Sequence, residues 1–248
     1  ARVIGITGPP GAGKSTLLSG LIGCARNARR RVAVLAVDPT SPFSGGALLG
    51  DRIRMTRHGD DEGVFIRSMA TRGHHGGLSA AALDTVTILS AAGYDDIFVE
   101  SVGVGQSEVG ILGLADVVLL VLNPGAGDEI QALKAGVMEI GDIYVINKAD
   151  YPGVASLERD LREVCDNTTR SMVPPVVVKT VASAGEGLDE LYGRISTHYD
   201  AFGEAGELTR RHRERLADAV ADTAADMVRA WAKERFVTAA AGDVSLVE

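Results

Sequence analysis

Cysteine is scarce in this chain: the 248 residues contain two, Cys24 and Cys165, with no C-x-x-C spacing and no histidine beside either. That excludes a disulfide framework and a Cys/His metal clamp, and it suits thiols kept reduced in a cytosol. No apolar run is long enough to span a bilayer, and the chain opens directly into a strand without a signal segment. A cytoplasmic protein with no membrane partner is therefore expected. An excess of positive charge is also missing, since the formal net charge is −8. A general nucleic-acid binder would carry the opposite sign, so no nucleic-acid partner is expected. Basic residues do cluster at 26–31 and 210–215, but the first cluster falls near the end of a helix, where cations complement the dipole. Repeats and low-complexity tracts are lacking as well.

What is present is apolar and regularly spaced. Hydrophobic residues make up 46% of the chain, enough for one large α/β domain with a modest appendage. Continuous β-branched runs predict strands at residues 3–7, 32–38, 64–68, 96–101, 117–122, 143–147 and 175–181. Helical stretches are expected between them at 78–92, 130–140, 156–165 and 188–199. Alternating strand and helix implies a mostly parallel, doubly wound sheet of about seven strands, an α/β fold, over residues 1–205. Beyond it, residues 206–248 read as a helical extension. Within it a charged helix at 208–236 carries Leu216, Val220, Met227 and Trp231 at roughly helical spacing, and the last ten residues look frayed. That stripe suits packing on the parent domain or an arm reaching a second subunit.

Two motifs far apart in the chain carry the chemistry. Gly8-Pro9-Pro10-Gly11-Ala12-Gly13-Lys14-Ser15 fits the phosphate-loop pattern G-x-x-x-x-G-K-[ST], after an apolar strand and before the helix formers Thr16-Leu17-Leu18. Backbone N–H groups of Gly11, Ala12, Gly13, Lys14, Ser15 and Thr16, together with the helix dipole, then converge on an anion. Lys14 reaches the β and γ phosphates, and the Ser15 hydroxyl ligates magnesium. Asn147-Lys148-Ala149-Asp150 ends a later apolar strand, where base-recognition loops of open α/β sheets lie. Asp150 would accept from guanine N1 and N2, Asn147 would bond the O6/N7 edge and its own loop, and Lys148 would lie along base and ribose. Ser183-Ala184 would back the base with a main-chain N–H. GTP or GDP with Mg2+ is the expected ligand set.

The remaining motifs are Val37-Asp38-Pro39-Thr40-Ser41-Pro42, Gly50-Asp51-Arg52-Ile53-Arg54-Met55, Glu100-Ser101-Val102-Gly103-Val104-Gly105-Gln106-Ser107-Glu108 and Gly127-Asp128-Glu129-Ile130-Gln131. Together with the first two they make the chain resemble the MeaB-type G proteins, also called ArgK-type, from about residue 3 to 199. Those proteins are chaperones of cobalamin-dependent acyl-CoA mutases and are related to the human methylmalonic aciduria type A protein. The resemblance implies a GTPase that gates cofactor delivery to, or protects, such a mutase, and a homodimer built through a C-terminal arm. The first residue is Ala1 and not Met, which implies processing, trimming or partial coverage of a longer chain, and the proteins it resembles usually carry a helical extension before the first strand. The alternative is a P-loop kinase or ATPase linked to amino-acid transport. A nickel-insertion GTPase is a third reading, short of the Cys/His metal site it would need.

The resemblance also assigns roles. Asp38 and Glu100 end apolar strands beside the phosphate loop, where carboxylates are costly unless they meet a cation or its water shell. With Ser15 and Asp51 they form the implied magnesium set, and Gly103 offers its N–H to the γ phosphate. Many GTPases place a water-orienting Gln directly after that glycine. Here Val104 follows, leaving Gln106 as the catalytic-site glutamine beside Lys14, Asp51 and Glu100, so unassisted hydrolysis should be slow. Residues 123–134 resemble an additional switch, with Lys134 a candidate for stabilising transition-state charge once a partner positions it. His74-His75 reads as a loop of the family and not as a metal site, because adjacent histidines diverge and no further ligand supports them.

Overall fold

The computed structural model describes residues 1–38, 58–70, 80–101, 113–125, 141–168 and 171–243. Seven strands form one parallel sheet: β1 Arg2–Thr7, β2 Val32–Asp38, β3 Val64–Ala70, β4 Asp96–Ser101, β5 Val117–Leu122, β6 Ile143–Asn147 and β7 Val176–Thr180. Their order across the sheet is β3-β2-β4-β1-β5-β6-β7. Five helices accompany them among the described residues: α1 Lys14–Asn27, α2 Ala80–Ala91, α3 Val154–Asn167, α4 Leu188–Glu204 and α5 Glu207–Asp243. The doubly wound α/β expectation is met, and β1 lies in the middle, where the direction of strand addition reverses. In such sheets the crevice beyond the strands' carboxyl ends at that reversal is where ligands bind.

The strands are apolar because both faces are covered. Every residue of β4, β5 and β6 is buried. Ile4 and Ile6 of β1 pack with Leu17, Leu18 and Leu21 of α1 and with Leu191 and Ile195 of α4 on one face. Val3, Leu35, Ile97 and Val99 meet Ala82, Val86 and Leu89 of α2 on the other. Alternating residues of one strand thus serve two cores, the period-2 consequence of pleating.

The edge of the sheet opposite the phosphate loop is held by carboxylates. Asp96, whose side chain is wholly buried, receives Arg2, Arg30 and Tyr192 at 2.6–3.0 Å. Burial would raise its pKa, but those donors outweigh it and hold the carboxyl below the ordinary aspartate value. Asp116 and Asp142, also buried, accept the backbone N–H groups of Val3 and Val118 at 2.9 and 2.8 Å, stitching β5 to β1 and β6 to β5. In the basic cluster at 26–31, Arg26 pairs with Asp61 and Arg30 with Asp96. Both cysteines are free, and burial followed by the nearby Asp189 pushes the Cys24 thiol up to about 11.

The chain divides into two compact units, Ala1–Thr209 and Arg210–Glu248. The second is formed by the greater part of α5, on which Leu216, Val220, Met227 and Trp231 are exposed. No helix among the described residues is long and apolar enough to cross a membrane.

Candidate functional site

The site begins where β1 ends. Gly8, at φ +137°, leaves no room for a side chain, since a Cβ would run into the Val121 carbonyl of β5. The loop then turns through Gly11 and Gly13, both at positive φ, and Gly13 caps α1 in a left-handed conformation. A Cβ on Gly13 would strike the amide of Asn147. These glycines bring the backbone close to where phosphates bind and aim the first N–H groups of α1 outward. Lys14 opens α1, is almost wholly buried, and donates to the carbonyls of Gly8 at 2.7 Å and Pro9 at 3.0 Å. A phosphate placed in the loop offers the ammonium a stronger, charged acceptor than these carbonyls.

Ser15 and Glu100 are brought together. The Ser15 hydroxyl donates to Glu100 Oε1 at 2.7 Å, and Glu100 is buried at the end of β4, in register with Ile6 of β1. A hydroxyl and a carboxylate within reach of one point are hard oxygen ligands of the kind magnesium takes in phosphate sites. Asp38 ends β2, the strand on the far side of β4 from β1, and its side chain lies outside the described residues. Asp51, Gly103, Gln106 and Lys134 also lie outside them, as do His74-His75 and the helix expected at 130–140.

The base-recognition loop joins the phosphate loop through side chains. Asn147 closes β6; its Nδ2 donates to the Ala12 carbonyl at 2.8 Å. Its Oδ1 accepts from Thr180 Oγ1 and the Ala182 N–H, each at 3.1 Å. One buried amide therefore ties the phosphate loop, β6 and the end of β7 together, and a bond to the base edge would fall to its second Nδ2 hydrogen. Lys148 sits at φ +57°, uncommon for a residue with a side chain, and its ammonium reaches the Gly11 carbonyl at 2.8 Å. Its stem thus lies across the gap between the two loops. Asp150 is exposed in the turn that follows. In the Ser183-Ala184 pair expected to supply a main-chain donor, the Ala184 N–H donates to the Val181 carbonyl at 2.9 Å inside its own turn.

Sequence reasoning missed Thr180 and Ala182, the two partners of Asn147. Their only signal was position, at the carboxyl end of the strand next to β6. Among the described residues no group of three His, Cys, Asp or Glu side chains converges on a metal-sized point.

The family described as methylmalonyl Co-A mutase-associated GTPase MeaB matches residues 1–236. A Pyrococcus horikoshii protein that bears a provisional GTPase name is 52% identical over 92% of this chain and 73% of its own length. The methylmalonic aciduria type A homolog of Mus musculus, a mitochondrial protein, is 36% identical over 84% of this chain, which spans 51% of that protein. Among solved structures, one described as a LAO/AO transport system kinase superposes with a TM-score of 0.74 at 27% identity, covering 92% of this chain and 68% of its own. The Helicobacter pylori protein HypB, solved in complex with nickel, shares the fold at 18% identity and a TM-score of 0.58, covering 81% of this chain and 87% of its own.

Proposed function

The chain belongs to the MeaB family of methylmalonyl-CoA mutase-associated GTPases, related to the methylmalonic aciduria type A protein, and from that membership we propose that it binds GTP with Mg2+, hydrolyses it to GDP and phosphate, and uses the cycle to gate cofactor delivery to, or protect, a cobalamin-dependent acyl-CoA mutase. The observation that supports the nucleotide half best is Asn147, whose single amide joins the Ala12 carbonyl of the phosphate loop to Thr180 and Ala182 beside the base-recognition loop. In this reading Lys14 neutralises phosphate charge, Ser15 and Glu100 hold the magnesium with Asp38 and Asp51, and Asp150 selects guanine. The magnesium supplies charge stabilisation at the transferred phosphoryl group.

The kinase reading draws on the transport-kinase structure, and the base-recognition residues weigh against it. Adenine presents no pair of donors to Asp150. The reading as a switch predicts weak hydrolysis by the protein alone, because Val104 stands where a water-orienting glutamine is common. Adding the matching acyl-CoA mutase should raise turnover at least about tenfold, a gain that needs about 1.4 kcal/mol of barrier lowering. Lys134→Ala should keep the intrinsic rate and lose most of the stimulation. Phosphate release measured with and without candidate mutases decides this, and equal rates in the two conditions would end the switch mechanism.

The homodimer belongs to the same proposal. Leu216, Val220, Met227 and Trp231 fall within about 60° of one another around α5, at ~100° per residue, and each is more than half exposed. An exposed apolar stripe along ~22 Å of helix is a surface that a second copy would bury. Light scattering should give twice the 25.9 kDa chain mass, and Trp231→Glu should return it to one chain; a wild-type monomer contradicts the dimer.

A further inference from the structure

At the floor of the site two hydroxyls face each other. Thr7 is the last residue of β1, directly before Gly8, and Ser101 is the last residue of β4, directly after Glu100. Their oxygens are 3.0 Å apart, and the two residues are 0% and 2% exposed. Neither takes part in the contacts assigned above.

Adjacent residues of a strand point to opposite faces, so Ser101 faces away from the side on which Glu100 meets Ser15. Fixing Ser101 on one face therefore fixes the rotation of the strand end and, with it, the aim of the Glu100 carboxylate on the other. Ile6 pairs with Glu100 in the ladder, which places the hydroxyl pair one step beyond the last registered pair of β1 and β4. The pair thus fastens the root of the phosphate loop to the point where the chain leaves β4. Burial makes the bond worth keeping, because a hydroxyl deprived of its partner there has lost its water without regaining a hydrogen bond. Two hydroxyls also carry two protons and their mutual bond uses one. Among the described residues the second has no acceptor assigned to it.

We propose that Thr7 and Ser101 are positioning residues of the hydrolytic site, whose hydroxyl pair sets the aim of Glu100 and the departure of the chain from β4 relative to the phosphate loop. This rests on the GTPase reading. Neither residue touches nucleotide; each acts through Glu100 and the strand end. Nucleotide is gripped mainly by the phosphate and base loops, so losing the pair should slow turnover while leaving binding nearly intact.

The test compares T7V, S101A, T7S and the double variant T7V/S101A with wild type, measuring kcat and KM for GTP, affinity for a fluorescent GDP analogue, and thermal unfolding. T7V and S101A should each lower kcat about tenfold, with KM and GDP affinity within about twofold of wild type. T7S, which keeps a hydroxyl, should retain most of the rate. The double variant should be no slower than the slower single one, because both substitutions remove the same bond. Should S101A fail to fold, T7V alone decides. Wild-type kcat in a folded T7V or S101A overturns the proposal. So do losses that multiply in the double variant, or a parallel loss of GDP affinity. If wild type itself turns over no GTP in the same assay, it is the GTPase reading that fails, and the hydroxyl pair is not what failed.

Discussion

GTP and GDP should bind this protein on the order of a thousandfold or more tightly than ATP and ADP. The difference comes from Asp150, which lies in the turn after Asn147 and Lys148. Guanine brings two donors, N1–H and the N2 amino group, to one carboxylate. Adenine brings an acceptor at N1 and nothing at C2, so it would leave a charged acceptor desolvated and unpaired, the costly half of a broken hydrogen bond. The surrounding scaffold is already in place: Asn147 is held by three protein bonds and Lys148 spans to Gly11, so little ordering remains when the base arrives. Asp150→Asn should reverse the preference toward xanthine nucleotides, whose C2 oxygen meets the new amide donor. Competition of ATP, GTP and XTP against a fluorescent GDP analogue reads this directly, and equal affinity of the wild type for ATP would remove the basis for guanine selection.

Lys14→Ala should abolish detectable hydrolysis and weaken nucleotide binding. A single preorganised charge aimed at a developing phosphoryl charge is typically worth at least about a hundredfold in rate. Lys14 is preorganised in that sense: it is buried at the start of α1 and held by the Gly8 and Pro9 carbonyls, so its ammonium cannot wander. Glu100→Ala removes the acceptor of the Ser15 hydroxyl. With Asp38→Ala it should mainly raise the magnesium concentration needed for turnover, leaving GDP binding in low magnesium less affected. Magnesium titrations of phosphate release separate the two classes. Wild-type turnover in all three variants would mean the phosphates and metal sit elsewhere.

Much of the fold was legible because buried parallel strands are written as uninterrupted apolar runs. Strands β2, β4, β5 and β6 begin and end where those runs do. Departures occur where pairing, not composition, sets the limit. β7 is Val176–Thr180 and not 175–181, since Pro175 has no N–H for the ladder and Val181 instead bridges to Glu186 across a turn. β3 runs on to Ala70 because β2 continues beside it to Asp38. α4 continues past Tyr199 to Glu204 and stops before Gly206, which sits at φ +74°. In the site, Gly13, Lys14, Ser15 and Asn147 were legible because their spacing is fixed by what a phosphate and a base require. Thr180, Ala182, Thr7 and Ser101 were not. Their roles arise from register between strands distant in sequence, and nothing local marks a threonine at a strand end as the partner of an asparagine 33 residues earlier. The Asp residues that open β4, or directly precede β5 and β6, share the pattern of an acidic residue at the head of an apolar run, which points to clamps on the edge away from the nucleotide.

The central claim is that the two loops joined by Asn147 form a guanine-specific hydrolytic site. It is tested most directly by following phosphate release from GTP and from ATP, in parallel, by the purified protein with magnesium, beside the Lys14→Ala variant as a blank. Slow, magnesium-dependent release from GTP, none above the blank from ATP, and none from either nucleotide in the variant is the predicted result. Release from ATP at a rate equal to or above that from GTP would contradict it.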